Sequence, residues 1–146
     1  MAENSTEGWG MTAKEYLSQA WKIKTRLEAM KEQLDFLKST TTNIASQPAG
    51  NPVSGTKNIH KTEDAIIRYI DYEERMKKQR AILDEINTAI NNVSHPTAQV
   101  ILVKRFLKNM SWDKISDELY ISNSQVYRLY KEALDEIKKM KVNEWN

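Results

Sequence analysis

The sequence predicts an all-α fold, with a long N-terminal antiparallel helical hairpin (a coiled coil) followed by a C-terminal three-helix domain containing a helix-turn-helix. Two long segments carry apolar residues in alternating steps of three and four, which is the seam of a coiled coil. The last third carries shorter amphipathic segments, each preceded by a capping residue. Only four glycines and three prolines interrupt the chain, and 29% of its residues are charged, as expected for helices with one solvated face.

The first predicted helix covers residues 12–38. Thr12 and Glu15 have the spacing of a capping box, in which each side chain accepts a hydrogen bond from the other residue's backbone N–H. The seam then continues without a break along one face of the helix. Its members are Ala13, Tyr16, Ala20, Ile23, Leu27, Met30, Leu34 and Leu37.

The second predicted helix covers residues 62–93 and begins with Glu63 and Asp64, where the helix dipole favours acids. Its seam has one polar member, Gln79. The apolar members are Ala65, Tyr69, Tyr72, Met76, Leu83, Ile86, Ile90 and Val93. Residues 39–60 hold the breakers between the two helices and predict a flexible loop, and residues 1–11 predict a disordered N-terminus. We expect 12–93 to fold back as one hairpin.

Both hairpin helices have more apolar residues than a two-helix seam needs. The surplus consists of Leu17, Trp21, Ile66, Ile67 and Ile70. Two explanations stay open at this point. The surplus either packs against the C-terminal domain of the same chain or forms a homodimer through the hairpin.

The C-terminal domain is predicted over residues 94–141, with a tail over 142–146. Its first helix, 96–108, starts at a proline and should bury Ile101, Leu102, Phe106 and Leu107. Ser111 caps a short helix over 112–119, and Ser122 caps the last helix. The apolar positions of a helix-turn-helix are filled by Ile115, Leu119, Ile121, Val126 and Leu129, with Ser116 as the small residue at the crossing. A structural three-helix bundle is the alternative.

Charge and composition exclude several classes of protein. Residues 97–141 hold nine basic and six acidic side chains, an excess that permits a DNA-binding face without indicating one. No cysteine is present, and His60 and His95 lie far apart without acidic partners, so we predict no metal site and no cofactor. No motif indicates an enzyme. Without a long apolar run or a secretory start, we expect a cytoplasmic protein that does not span a membrane.

Three runs carry a family resemblance: LVKRF at 102–106, SWDKIS at 111–116 and ISNSQV at 121–126. They resemble region four of bacterial sigma factors. Together with the coiled-coil front, the chain resembles small phage and prophage regulators grouped near the ArpU and RinA late-gene activators. The resemblance implies a transcription regulator that binds double-stranded DNA near promoters in a bacterial host, and it leaves contact with RNA polymerase open. The corresponding turn prefers a glycine where this chain has Tyr120.

The resemblance also implies which residues read bases. In region four these lie at the start of the last helix and one turn along it, which here are Asn123, Ser124, Tyr127 and Arg128. Arginine can pair with guanine O6 and N7, and asparagine with adenine N6 and N7. The phosphate contacts that we predict come from Ser122, Lys131, Lys104, Arg105 and Lys108, although the last three could equally form a solvated charged face.

Two other functions remain open from the sequence. Phage small terminase subunits, which recognise DNA for packaging, also combine a helix-turn-helix with a coiled coil, usually in the reverse order. An interaction protein could instead dock its C-terminal helices onto RNA polymerase and have little affinity for DNA.

Overall fold

The computed structural model describes residues 11–46 and 55–145, with side chains described over 11–40 and 61–142. The described residues are all-helical and contain no strand, so the predicted fold class is confirmed. The described residues form five helices, which are α1 (Ala13–Ser46), α2 (Gly55–Asn91), α3 (Pro96–Leu102, continued as a π-helix over Val103–Leu107), α4 (Trp112–Leu119) and α5 (Asn123–Trp145).

The coiled-coil hairpin is confirmed, since α1 and α2 pack against each other. The backbone N–H of Thr12 donates to Glu15 Oε2, and the N–H of Glu15 donates to Thr12 Oγ1, both at 3.1 Å. This is the predicted capping box. Every predicted seam residue of both helices is buried or half-buried, Gln79 included.

The hairpin helices are longer than predicted, and the predicted loop over 39–60 is accordingly too long. Helix α1 continues to Ser46 and α2 already begins at Gly55. Thr40, which the sequence placed in the loop, lies within α1, and its Oγ1 donates to the carbonyl of Phe36 at 2.9 Å, which satisfies the hydroxyl inside the helix. Residues 47–54 of the loop and 1–10 of the predicted disordered N-terminus lie outside the described residues.

The contacts divide the chain into two units, and the division differs from the predicted boundary at residue 94. One unit is the segment 25–81, in which Tyr72 Oη donates to Gln33 Oε1 at 2.6 Å. The other unit combines residues 11–24 and 82–145. The first turns of α1 and the last turns of α2 therefore share a core with α3, α4 and α5. Its fully buried side chains include Leu17, Ile86, Ile101, Leu102 and Ile137.

The joint between α2 and α3 is fixed by side-chain caps. His95 Nδ1 accepts hydrogen bonds from the backbone N–H groups of Thr97 and Ala98, so it caps α3 rather than being an ordinary polar residue. The carboxylate of Glu136, on α5, accepts from both the backbone N–H and the hydroxyl of Ser94. The start of the C-terminal helices is thereby held to α5.

The end of α3 widens into a π-helix, whereas the sequence predicted a regular helix to residue 108. The N–H of Lys108 donates to the carbonyl of Val103, five residues back, at 3.1 Å. Asn109 then adopts a positive φ of 54°, which asparagine tolerates well. Arg105 Nη1 donates to the carbonyl of Met110 at 2.9 Å and holds this corner closed.

Candidate nucleic-acid interface

A tight turn joins α4 to α5. Tyr120 occupies the left-handed region with φ 56° and ψ 38°. Its N–H donates to the carbonyl of Asp117, and the N–H of Ile121 donates to the carbonyl of Ser116, at 3.4 and 3.3 Å. This pair of bonds is a Schellman motif, which commonly ends with glycine at the left-handed position. In this chain the left-handed residue is Tyr120, at the position where the sigma region-four pattern that the chain resembles prefers glycine.

Three serines stabilise the two helices around this turn. Ser111 Oγ accepts from the N–H of Lys114, and Ser122 Oγ accepts from the N–H of Gln125, at 3.2 and 3.1 Å. Both predicted caps are therefore present. The hydroxyl of Ser116, predicted as the small residue at the crossing, donates to the carbonyl of Ile121 and ties α4 to the turn.

The inward faces of α4 and α5 follow the predicted register. Ile115, Val126 and Leu129 are almost completely buried. Leu119 and Ile121 are half-buried. Because the apolar residues of α5 point inward, the residues between them must point outward.

The outward face of α5 contains the predicted reading residues. Asn123, Ser124, Tyr127 and Arg128 are all exposed. Arg128 Nη1 lies 3.7 Å from Glu132 Oε1, and both side chains are more than half exposed. A solvent-exposed pair at this distance contributes little, so the guanidinium can leave it at small cost.

Asn123 has a partner on the neighbouring helix. Its Nδ2 donates to Asp113 Oδ1 at 3.2 Å, which links the first turn of α5 to the first turn of α4. Both residues are exposed. This contact was not predicted, because nothing in the spacing of two residues ten apart indicates it.

A cluster of aromatic rings packs beneath the outward face of α5. The rings of Trp112 and Tyr130 lie 4.6 Å apart between centroids, and those of Tyr127 and Tyr130 lie 6.2 Å apart. Burial raises the pKa of Tyr130. Lys131 Nζ lies 5.7 Å from the ring centroid of Tyr127, at the range of a cation–π contact. Tyr127 is thus anchored on one side while 57% of its surface stays exposed.

The predicted phosphate-contact residues of helix α3 differ in their surroundings. Lys104 Nζ pairs with Glu118 Oε2 at 2.8 Å, and this hydrogen bond lowers the pKa of the Glu118 carboxyl. The guanidinium of Arg105 lies 4.6 Å from the ring centroid of Trp112. Lys108 is exposed. The structure gives Lys104 and Arg105 intramolecular partners, which the sequence did not predict, and leaves Lys108 facing solvent.

The described residues lack two other kinds of feature. No group of three or more histidine, cysteine, aspartate or glutamate side chains within 11–46 and 55–145 could hold a metal ion. Over the same stretch, no helix combines the length and apolarity needed to cross a membrane.

A comparison with known protein families shows which family the chain belongs to. The model of a family described as "Protein of unknown function (DUF1492)" matches residues 50–138, more than half of the chain. The chain belongs to this family. The DUF1492 match includes α3, α4 and the outward residues of α5, and leaves the whole of α1 outside it. No curated protein and no solved structure matches the chain.

Proposed function

We propose that this protein is a sequence-specific double-stranded DNA-binding transcription regulator of phage or prophage origin, with a helix-turn-helix like that of sigma region four. One observation carries the proposal. A tightly capped α5 buries one stripe and exposes Asn123, Ser124, Tyr127 and Arg128 on the other. A recognition helix enters the major groove with its N-terminal residues against the base edges.

Each exposed side chain has chemistry that suits this role. Arg128 is free enough to form a bidentate pair with guanine, and Asn123 can form one with adenine through its amide oxygen and its second amide hydrogen. Ser124 and Tyr127 suit phosphates or thymine methyl groups. Ser122, Lys131 and Lys108 are the phosphate contacts that the surroundings favour, because Lys104 and Arg105 already have partners.

A regulator of this kind would act at promoters in the bacterial cytoplasm, and contact with RNA polymerase is part of the same proposal. The first experiment selects bound sequences from a random duplex pool with the full chain, then measures affinity for the selected duplex over a range of salt. Binding should weaken steeply with salt, because each neutralised phosphate releases counterions. If no duplex is enriched, the docking-protein alternative takes over.

The reading residues are tested by Arg128→Ala and Asn123→Ala. Each should cost about 1–3 kcal/mol on the selected duplex and much less on unrelated DNA, because base contacts specify sequence. Lys139→Ala removes an exposed cation further along α5 and serves as the control. If both variants bind the selected duplex as well as the control does, α5 is not the reading helix.

A map of bound sites on a phage-carrying genome separates the regulator from the packaging protein. Enrichment at promoters supports the regulator. Enrichment confined to a packaging start site would overturn it in favour of a small-terminase-like role.

A further inference from the structure

An open groove runs beside the outward face of α5. Its volume is about 370 Å³, and its walls come from the first turns of α1, the end of α3 with the corner after it, and α4 and α5. All of these belong to the same unit of the structure. Among the α1 residues in this wall, only Trp21 was expected from the sequence to pack against the C-terminal domain, with a homodimer as the alternative.

The groove is lined by cations and aromatic rings. Lys14 and Lys22 contribute from α1, Arg105 from the α3 end and Lys131 from α5, and no carboxylate is among the lining residues. Lys14 and Lys22 are exposed. Within the described part of the chain, neither of these two lysines forms an ion pair. An unbalanced cluster of this kind attracts anions.

The groove and the proposed reading face share residues. At about 100° per residue, positions 124, 128 and 131 form one stripe of α5, and positions 127, 131 and 134 form the next. Tyr127 and Lys131 line the groove, as does Leu134. Lys131 therefore belongs to both stripes. The groove lies beside the proposed reading face of α5, and Arg128 lies on the side of that face away from the groove.

We propose that this groove holds the sugar–phosphate backbone of the duplex whose bases α5 reads, with Lys14 and Lys22 of α1 as phosphate contacts. The inference rests on the proposed function and adds α1 to the interface. A recognition helix in the major groove is flanked by a phosphate strand on each side. The lysines beside Tyr127 and Lys131 lie where one of those strands passes.

The side chains that line the groove suit contact with the sugar–phosphate backbone better than contact with base edges. Lysine is a flexible point charge that suits phosphate oxygens. Trp21 lines the groove, and its ring centroid lies 5.5 Å from Lys24 Nζ, while Lys24 donates to the carbonyl of Leu107 at 3.3 Å. Contacts within the chain therefore hold Trp21 and Lys24 in this wall of the groove.

The test compares two double variants of the full chain. Lys14→Gln with Lys22→Gln removes the two proposed contacts, and Arg26→Gln with Lys31→Gln removes two exposed cations from the part of α1 in the other unit. The first pair should lose roughly fivefold in affinity per lysine near 0.15 M salt, and its salt slope should fall by about one per contact. The loss should be equal on selected and unrelated duplexes. Thermal melts should be unchanged for both pairs.

Duplex length provides a second readout. When the selected duplex is trimmed on the side that the groove covers, the parent should lose its advantage over the Lys14 and Lys22 double variant. If the parent binds the selected duplex and both double variants behave alike, the groove is not a backbone contact while the proposed function stands. If the loss is confined to the selected duplex, the lysines read sequence and the proposal is wrong. Failure of the parent to bind any duplex would overturn the proposed function itself.

Discussion

Asn123 and Asp113 are joined by a hydrogen bond of 3.2 Å from Nδ2 to Oδ1, across the exposed surface between α5 and α4. The pair lies where the proposed reading helix begins. A bidentate contact with adenine uses both the amide oxygen and the amide nitrogen of asparagine. The nitrogen carries two hydrogens, so the bond to Asp113 can orient the amide while the oxygen and the second hydrogen stay available for adenine.

Replacement of Asp113 by alanine should therefore weaken binding to the selected duplex. We expect a loss of about twofold to tenfold, because the Asn123 amide loses the hydrogen bond, worth about 0.5–1.5 kcal/mol net, that orients it. Asp117→Ala removes an exposed acid from the same helix and controls for charge alone. Titrations of both variants, repeated with Asn123→Ala, measure the coupling. Unchanged or tighter binding by Asp113→Ala would mean that Asp113 does not position the amide.

Core residues of the helix pair should affect stability rather than recognition. Ile115 is 0% exposed, so Ile115→Ala should leave a cavity and cost about 2–5 kcal/mol of unfolding free energy. Leu119 is half-buried, and its alanine variant should lose less. Val100→Ala, on the exposed side of α3, is the control. Urea unfolding checks the order, and equal losses at Ile115 and Val100 would contradict the packing described here.

Replacement of Tyr120 by glycine should stabilise the folded protein. Its φ of 56° lies in the left-handed region, and its side chain is 94% exposed, so the ring contributes little packing. Tyr120→Gly should raise the unfolding free energy by roughly 0.5–1 kcal/mol, because glycine has no Cβ to strain. Tyr120→Ala removes the ring but keeps the Cβ, so it should give no such gain. A thermal melt of both variants separates the two effects.

Self-association through the hairpin stays a prediction, and the exposed apolar residues of α2 are the place to test it. Leu17 is completely buried in its own chain, whereas Ile66, Ile67 and Ile70 are exposed on α2. If these isoleucines form a homodimer, Ile70→Glu should convert it to monomer in sedimentation at micromolar concentration, and Arg75→Glu should not. Half-sites in selected DNA would then repeat at about 34 Å or a multiple of it. A parent that sediments as a monomer ends this prediction.

The features predicted well from sequence depend on neighbours three or four residues apart. The seams, the Thr12 capping box and the Ser111 and Ser122 caps all have this local character. The features that were missed depend on residues far apart in sequence. Lys104 pairs with Glu118, and Asn123 bonds to Asp113. The groove brings together Lys14 and Lys131, which are far apart in the sequence, and the apolar surplus of α1 alone left open whether this helix packs beside the C-terminal helices.

The unit that holds α3 to α5 is discontinuous, because it also takes residues 11–24 from the other side of the hairpin segment 25–81. On a chain still being synthesised, the first turns of α1 have no final neighbours until the helices after α2 have emerged. Closing so long a loop from a disordered state costs about 3–4 kcal/mol in chain entropy. A hairpin that forms first removes most of that entropy cost, because it already brings residues 11–24 close to the segment that begins at residue 82. We therefore expect folding to proceed from the hairpin towards α3, α4 and α5.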